Sequence, residues 1–352
     1  MANAPEVTSE RITVADSIEA VNELYYERGW TDGLPIIPPT EERVKRMMAV
    51  VKRDPQEVVA VLPPRSAAAT VEKIALNAVM AGCLPEYLPV IIAVVAAMAE
   101  EEFNLLGVQA TTHPCGPLIV VNGPIARELG INSRGNAFGP GVRANAAIGR
   151  AVRLIMLNVG GAIPVEADKS THGQPAKYTY CVAENETESP WEPLHVERGF
   201  RAGESTVTVF GAEGPHNIND HESLTARGIL TTAAGTMATA GNNNLISLKG
   251  EPILIMGPEH AATVAGDGYS KQQVKEFIFE HARLPLNMLS EENIKYRRKT
   301  RGVFGEYADS ELVPLVGKSE DVVVMVLGGP GKHSCFVPTF GSTCSVTRRI
   351  KL

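Results

Sequence analysis

Two apolar segments of the chain share one pattern. Residues 117–124 read PLIVVNGP and residues 252–258 read PILIMGP, so each is a short apolar run that ends in Gly-Pro. Such runs predict buried strands, and the segments after them, residues 125–130 and 259–266, have helical patterns. The preceding segments, residues 86–106 and 222–246, also match each other. The pattern therefore predicts a duplicated helix–strand–turn–helix unit. A third run, residues 321–331, repeats the strand-and-glycine form more weakly.

The repeat predicts the fold class and the domain organisation. Because each apolar run is followed by a helical pattern, we expect an α/β fold in which duplicated units surround mixed or parallel sheets. The chain then divides into four regions. They are an N-terminal helical and Pro-rich extension (1–56), a first α/β half (57–161), a polar, loop-rich insertion (162–222) and a second α/β half (223–352). A long polar insertion in a compact fold is typical of a lid or a functional site.

Composition and charge limit the possible partners. Of the 352 residues, 44% are hydrophobic and 21% charged, which are globular values, and the net charge of -7 disfavours binding to nucleic acid or to an anionic membrane. The apolar run 87–99 is too short to span a bilayer. Residues 1–7 lack the features of a signal peptide, so we expect a cytoplasmic protein. The Ala- and Gly-rich segments 87–99 and 226–241 predict flat apolar faces and an oligomer.

The five cysteines form no CxxC pair and are predicted to be free thiols. Two of them lie in stretches with other reactive side chains. The first stretch is residues 111–116 (TTHPCG), where a Pro-bent loop can present His113 and Cys115 to one pocket. The alternative is a turn-capping histidine beside a small core cysteine.

The second stretch lies in the polar insertion and combines Cys181, Glu184, Glu186 and His195. Two carboxylates near an imidazole and a thiol can supply a base, its orienting partner and a nucleophile, or they can bind a divalent metal. The alternative is a solvated acidic loop. We expect Glu184 or Glu186 to act as the base and His195 as its acid partner.

Two further stretches contain candidate ligands. His216 and His221 flank Asp220, but their spacing of five residues differs from the i, i+4 spacing of helical zinc sites, so whether a metal is bound stays unknown. The loop 132–145 contains no phosphate-binding P-loop and no dinucleotide motif. It leads into a helix whose N-terminus can hold a small anion. Its candidate substrate-binding residues are Arg143, Asn136, Gly139, Gly141 and Asn145. The alternative is a glycine-rich turn needed for tight packing.

Four long motifs resemble a bacterial family of companion subunits that is associated with UGSC-motif (seleno)proteins. They are residues 29–44 (GWTDGLPIIPPTEERV), 77–89 (NAVMAGCLPEYLP), 104–112 (NLLGVQATT) and 139–145 (GPGVRAN). The resemblance extends over nearly the whole chain. It implies a small partner protein with a redox-active thiol or selenol, and hence a heteromeric enzyme, but it assigns no catalytic residue. The chain itself contains no UGSC motif, and residues 341–344 (GSTC) are only loosely similar to one.

Two classes of function follow from these patterns. The first is an enzyme subunit, an oxidoreductase or a lyase, that acts on a small polar or anionic molecule by acid/base and thiol chemistry. The alternative within this class is a metal-dependent hydrolase or lyase with His and Glu ligands. The sequence leaves the cofactor unknown. The second is a non-catalytic binding or scaffold subunit. We expect the site where the insertion folds over the loops after the first repeated strand, because ligands bind at the carboxyl ends of strands in open α/β sheets.

Overall fold

A computed structural model describes residues 7–351 and confirms the α/β class with mixed sheets. Residues 1–6, which belong to the predicted extension and to the N-terminus predicted to lack a signal peptide, lie outside the described part. The helices are α1 (Ile18–Glu27), α2 (Glu41–Met48), α3 (Val71–Met80), α4 (Leu88–Met98), α5 (Leu105–Ala110), α6 (Pro124–Glu128), α7 (Arg143–Ile155), α8 (Leu194–Glu197), α9 (Ala226–Met237), α10 (Asn243–Ser247), α11 (Pro258–Gly266), α12 (Lys271–His281) and α13 (Glu291–Tyr296). The strands are β1 (Val58–Leu62), β2 (Ala67–Thr70), β3 (Gly116–Asn122), β4 (Cys181–Ala183), β5 (Thr206–Ala212), β6 (His216–Asn219), β7 (Ile253–Met256), β8 (Arg283–Pro285), β9 (Leu312–Pro314), β10 (Val323–Val326), β11 (His333–Val337) and β12 (Val346–Arg349).

The fold is built around two four-stranded sheets. The first sheet has the order β12-β5-β3-β4 and the second has the order β6-β11-β7-β10. In the first, β3 is parallel to β4 and antiparallel to β5, and β12 lies antiparallel along the outer side of β5. In the second, β7 is likewise parallel to β10 and antiparallel to β11, with β6 along the outer side of β11. The two repeated segments therefore occupy equivalent positions, as a duplication would require, although duplication itself remains an inference.

The two sheets exchange their outer strands. Strand β6 follows β5 closely in the chain but belongs to the second sheet, whereas β12 follows β11 but belongs to the first. The connection from β5 to β6 crosses the connection from β11 to β12, and hydrogen bonds join them there. The Glu213 amide donates to the Pro338 carbonyl at 2.8 Å, and the Phe340 amide donates to the Gly211 carbonyl at 2.8 Å. Each sheet thus has one edge strand that comes, in the chain, directly after a strand of the other sheet.

Alternation of side chains along the strands creates four layers. Leu118 and Val120 face an apolar layer that they share with Ile253 and Ile255 of the second sheet, whereas Ile119 and Val121 face the helices. Helices α3, α4 and α7 cover the outer face of the first sheet, and α9, α11 and α12 cover the second. The two sheets therefore pack against each other between two outer layers of helices.

The region predicted as an insertion contributes to both sheets. Residues 162–222 contain β4, β5 and β6, and every residue of β5 is buried. Strand β5 lies between β3 and β12, so this part of the region is core and not a lid. The polar appearance of the sequence comes from the connections between the strands, from the edge strand β6 and from the threonines of β5.

The predicted oligomer receives no support from the helix faces that suggested it. Of the α4 residues, all but Ala96 are buried within the chain, and the apolar residues of α9 belong to the core of the second half. Both faces are already covered, so association with another chain stays a prediction. Within residues 7–351, none of the helices combines the length and apolar character needed to span a bilayer.

Candidate acid/base site

A polar cluster occupies the ends of the first sheet's central strands. Asn122 ends β3, Glu184 directly follows β4, and Thr206 begins β5 opposite Asn122. Asn122 and Glu184 are two residues beyond Val120 and Val182, which face the layer between the sheets, so all three polar residues lie on that side. Because β3 and β4 are parallel, their carboxyl ends meet here. The cluster lies after the first repeated strand, where the sequence predicts a site, and its role as that site stays a prediction.

Glu184 is buried at the centre of the cluster. Its Oε2 atom accepts hydrogen bonds from Asn122 Nδ2 at 2.6 Å and from the Leu194 amide at 2.8 Å, whereas its Oε1 atom has no partner. Burial raises the pKa of Glu184 above its ordinary value, and the charge of Lys271 together with the two donors offsets only part of this rise. The carboxyl group is therefore suited to hold a proton.

Glu186 connects the cluster to the surface. Its Oε1 atom accepts hydrogen bonds from the Gly123 amide at 2.7 Å and from Asn122 Nδ2 at 3.0 Å. The side chain is 25% exposed, whereas the neighbouring His195 side chain is 0% exposed. A molecule that approaches from solvent would therefore meet the Glu186 carboxylate before the buried groups.

His195 is enclosed without a hydrogen-bond partner on either ring nitrogen. The nearest carboxylate oxygen, Glu186 Oε1, lies 4.0 Å from His195 Nδ1, which is too far for a hydrogen bond. Within residues 7–351, nine buried side-chain nitrogen or oxygen atoms lack a partner once Glu197 Oε2, which is paired with Lys271, is set aside, and five of the nine belong to Asn122, Glu184, His195 and Thr206. Such groups are costly and require an explanation. Their concentration here makes this cluster the candidate site.

Two lysines of α12 lie beside the cluster. Lys271 Nζ is 2.7 Å from Glu197 Oε2, and Lys275 Nζ pairs with the other oxygen of the same carboxylate. Burial opposes ionisation of Glu197, but the two ammonium groups outweigh it and hold the pKa of Glu197 below its ordinary value. Two cations thus share one carboxylate, so these three side chains together carry one positive charge, whereas Glu186 contributes a negative charge to the cluster.

Cys181, predicted as part of this site, lies on the other face of the sheet. It packs with Ala183 among the residues that face the helices, whereas Val182 and Glu184 face the second sheet. The alternation of side chains along a strand separates residues 181 and 184. Burial also raises the pKa of the Cys181 thiol well above its ordinary value. The thiol therefore lacks both the position and the ionisation of a nucleophile.

His113 and Cys115 have separate environments, although the sequence predicts one shared pocket. His113 Nε2 is 2.6 Å from Glu213 Oε1, and its ring stacks on Phe340 where the exchanged connections cross. Cys115 is buried beside a cavity of about 20 Å³, room for about one water molecule. Burial raises the pKa of the Cys115 thiol to about 12. The His113–Glu213 pair has the geometry of a proton-transfer pair, but the thiol has the character of a core residue.

Of the five predicted substrate-binding residues, Arg143, Asn136 and Asn145 use their polar side chains in contacts within the protein. The Arg143 guanidinium donates to the Gly82 carbonyl at 2.8 and 3.0 Å, Asn145 accepts from the Asn132 amide at 2.7 Å, and Asn136 donates to the Pro140 carbonyl at 2.8 Å. A Cβ atom on Gly139 would collide with the Asn136 side chain, and Gly141 has φ +120°. These contacts agree with the alternative of a packing turn.

One open pocket has no counterpart among the sequence-based predictions. It has a volume of about 810 Å³ and is lined mainly by residues 164–178 with Asp32 and Arg153. Lys177 Nζ lies 2.7 Å and Arg153 Nη1 3.3 Å from opposite oxygens of Asp168. Burial opposes ionisation of Asp168, but these cations outweigh it and hold its pKa below the ordinary value. The charges of Asp168, Arg153 and Lys177 in this pocket are therefore already paired with one another.

Sequence reasoning also missed three members of the acid/base site: Asn122, Thr206 and Lys271. Asn122 left a signal, since it is the one polar side chain in the apolar run 117–124. Lys271 comes close only through the packing of the two halves. Within residues 7–351, there is no group of three or more His, Cys, Asp or Glu side chains placed to hold a metal ion. Comparison of the chain with protein-family models, curated proteins and solved structures gave no match.

Proposed function

We propose that the chain is the catalytic subunit of an enzyme that transfers a proton on a small polar or anionic organic molecule. The observation that carries this proposal is the set of buried, unpartnered polar atoms around Glu184 at the carboxyl ends of β3 and β4. A lyase-type reaction fits this set, because it requires a base and an acid held close together in a site that excludes water.

Each member of the site has a role in this proposal. Glu186 takes the proton from the substrate, since it is the carboxylate that reaches solvent. Glu184 holds a proton in the buried interior, and His195, whose Nδ1 lies 4.0 Å from Glu186 Oε1, serves as the acid that gives a proton back to the substrate. Asn122 positions both carboxylates, because its Nδ2 atom donates to Glu184 and to Glu186. Asn122 is thus a positioning residue.

An anionic substrate is favoured by the charge beside the site. Lys271 and Lys275 share the single carboxylate of Glu197, and Lys271 already lowers the pKa that Glu184 would otherwise have. A substrate carboxylate that lies on the lysine side of the cluster, away from Glu186, would balance the one positive charge of the Lys271, Lys275 and Glu197 group.

A thiol or selenol, if the reaction requires one, is proposed to come from a partner protein. The cysteines named as candidates, Cys115 and Cys181, are buried and have raised pKa values, which makes them poor nucleophiles. The resemblance to companion subunits of UGSC-motif proteins supports the same division of labour.

Solvent exchange tests the proposal on many candidate substrates at once. The purified protein is incubated in D2O with pools of small carboxylic and hydroxy acids, and loss of C–H proton signals is followed by NMR. We expect exchange in at least one compound, and Glu186→Gln should slow it by about 100-fold or more. Glu192→Gln is the matched control, because Glu192 is an exposed residue close by in the chain. If Glu186→Gln and Glu184→Gln both exchange the compound as fast as the wild-type protein, the reaction takes place at another site.

The scaffold alternative gives a different result in the same assay. A scaffold subunit would exchange no compound alone, and a complex with its partner would exchange compounds at a rate that Glu186→Gln leaves unchanged. A proton-transfer subunit that depends on its partner would gain activity in the complex and lose it again in Glu186→Gln.

A further inference from the structure

The second sheet carries a pair of histidines at the end that corresponds to the acid/base site. His333 begins β11 next to Gly257, which follows β7 as Gly123 follows β3. His221 lies just beyond β6, the neighbouring strand. Both histidines are exposed. The sequence suggested a pairing of His216 with His221, but His216 lies opposite Phe336 at the other end of β6.

The two imidazole rings are in direct contact through their Nε2 atoms. The His221 and His333 Nε2 atoms lie 3.1 Å apart, and the ring centres are 4.9 Å apart with an interplanar angle of 81°. Metal–nitrogen distances of about 2.0–2.1 Å would give a shared ion an N–metal–N angle of roughly 100° at this separation. This angle lies between the octahedral and tetrahedral values. The pair can therefore accept an ion without rearrangement of the backbone.

Neighbouring groups hold the pair in place. His333 Nδ1 is 3.0 Å from Asn217 Oδ1, so Nδ1 carries the proton and the Nε2 lone pair faces His221. This outer contact is the type that orients metal-binding histidines. The backbone at His221 is fixed too, since Lys332 Nζ donates to the His221 carbonyl at 2.9 Å and the buried His260 contacts the Asp220 carbonyl at 2.9 Å.

We propose that His221 and His333 form a binding site for a divalent late transition metal such as Zn²⁺, Ni²⁺ or Cu²⁺. Imidazole nitrogen is a preferred ligand of these ions. The chain supplies two ligands, because the described residues offer no group of three or more. The remaining positions are filled by water or by a small anionic ligand, which leaves the ion open to exchange. Without an ion, the same contact is a hydrogen bond between the rings.

Metal titration of single variants tests this site. Binding of Ni²⁺ and Zn²⁺ is measured by calorimetry on the full chain, and Cu²⁺ is examined by electron paramagnetic resonance. We expect one ion per chain and a copper spectrum with two coupled nitrogens. Both His221→Ala and His333→Ala should weaken binding at least tenfold and reduce the spectrum to one nitrogen. Asn217→Ala, which removes the outer contact, should weaken binding by about tenfold.

His216→Ala is the matched control, because His216 is an exposed histidine on the same strand. It should leave affinity and spectrum unchanged. The proposal fails if wild-type protein binds none of the three ions, or if His216→Ala weakens binding as much as His221→Ala. Circular dichroism and thermal unfolding of each variant separate a lost site from a lost fold. The experiment does not depend on the acid/base activity, so the two proposals stand or fall separately.

Discussion

At the scale of single residues, the ionisation of Glu184 opposes folding. Its pKa in the folded protein lies above the ordinary value of 4.5, chiefly because the carboxyl group is buried. The folded state therefore binds the proton more tightly than the unfolded state. The resulting stabilisation is complete below about pH 4.5 and is lost as the pH rises through the folded pKa.

Glu184→Gln removes this dependence, since the amide cannot ionise but keeps an oxygen that can accept from Asn122 and the Leu194 amide. We expect the variant to be more stable than the wild type at pH 8 and the difference to shrink towards pH 4. Urea unfolding at several pH values measures this, with Glu192→Gln as the exposed control. A difference that is constant with pH would mean that Glu184 is not the group that titrates.

The site can be predicted from the sequence only in part. The sequence predicts Glu184, Glu186 and His195 because carboxylates and an imidazole lie close together along the chain, and the structure brings them together. The same reasoning includes Cys181. Successive side chains of a strand point to opposite faces, however, so residues 181 and 184, three positions apart, lie on different sides of the sheet. Proximity in sequence therefore suggests members of a site, but the direction of each side chain decides which ones belong.

At the scale of elements, the turn after β3 requires glycine. Gly123 has φ +85°, and a Cβ atom there would collide with the Glu204 carbonyl of the chain that leads into β5. Gly123 also donates its amide to Glu186 at 2.7 Å. The close approach of the two strands at this point thus fixes both the turn and a carboxylate of the site.

Gly123→Ala combines backbone strain with this collision and should cost roughly 3 kcal/mol of unfolding free energy. Gly130→Ala is the matched control, because Gly130 has φ +64° but no atoms within 4 Å of the added Cβ. The control should cost about 1–2 kcal/mol, the strain alone. Denaturant unfolding of both variants measures the difference, and equal costs would show that the collision is relieved by movement of the Glu204 backbone.

The elements that the sequence predicts well are those buried on both faces. Strands β3 and β7 lie in the middle of their sheets, so they are continuous apolar runs. Strand β5 is also central, but it alternates Thr206 and Thr208 with valines and falls in the segment predicted to be a polar insertion. Strands β6 and β12 are short and polar because they lie at the edges of the sheets. Their exchange between sheets leaves no signal in local sequence.

At the scale of the whole molecule, the two sheets should unfold together. They share one apolar layer and exchange their outer strands, so neither sheet can lose its structure without disturbing the other. The two tryptophans report on the cores of different sheets, because Tyr25, the neighbour of Trp30, packs on the core of the first sheet and Trp191 packs on that of the second. Trp30 packs edge-on against Tyr25 in the N-terminal part, and Trp191 packs against the core of the second half.

Each single variant keeps one tryptophan. During denaturant unfolding, the fluorescence of Trp191→Phe therefore follows Trp30, and that of Trp30→Phe follows Trp191. We expect the two unfolding midpoints, each corrected for the stability of its variant, to coincide with the midpoint from circular dichroism. Two separate transitions would show that the halves are independent and that the shared layer contributes little to cooperativity.

The exchange of strands also sets an order on synthesis of the protein. The ribosome completes β3, β4 and β5 long before it reaches β12, and the side chain of Thr347 meets that of Thr208 across 139 residues of sequence. Until residues 346–349 emerge, the nascent first sheet presents β5 as an open edge that can pair with other chains. The second sheet has all its strands by the time β11 has emerged. The half that is made first is thus the half that is finished last.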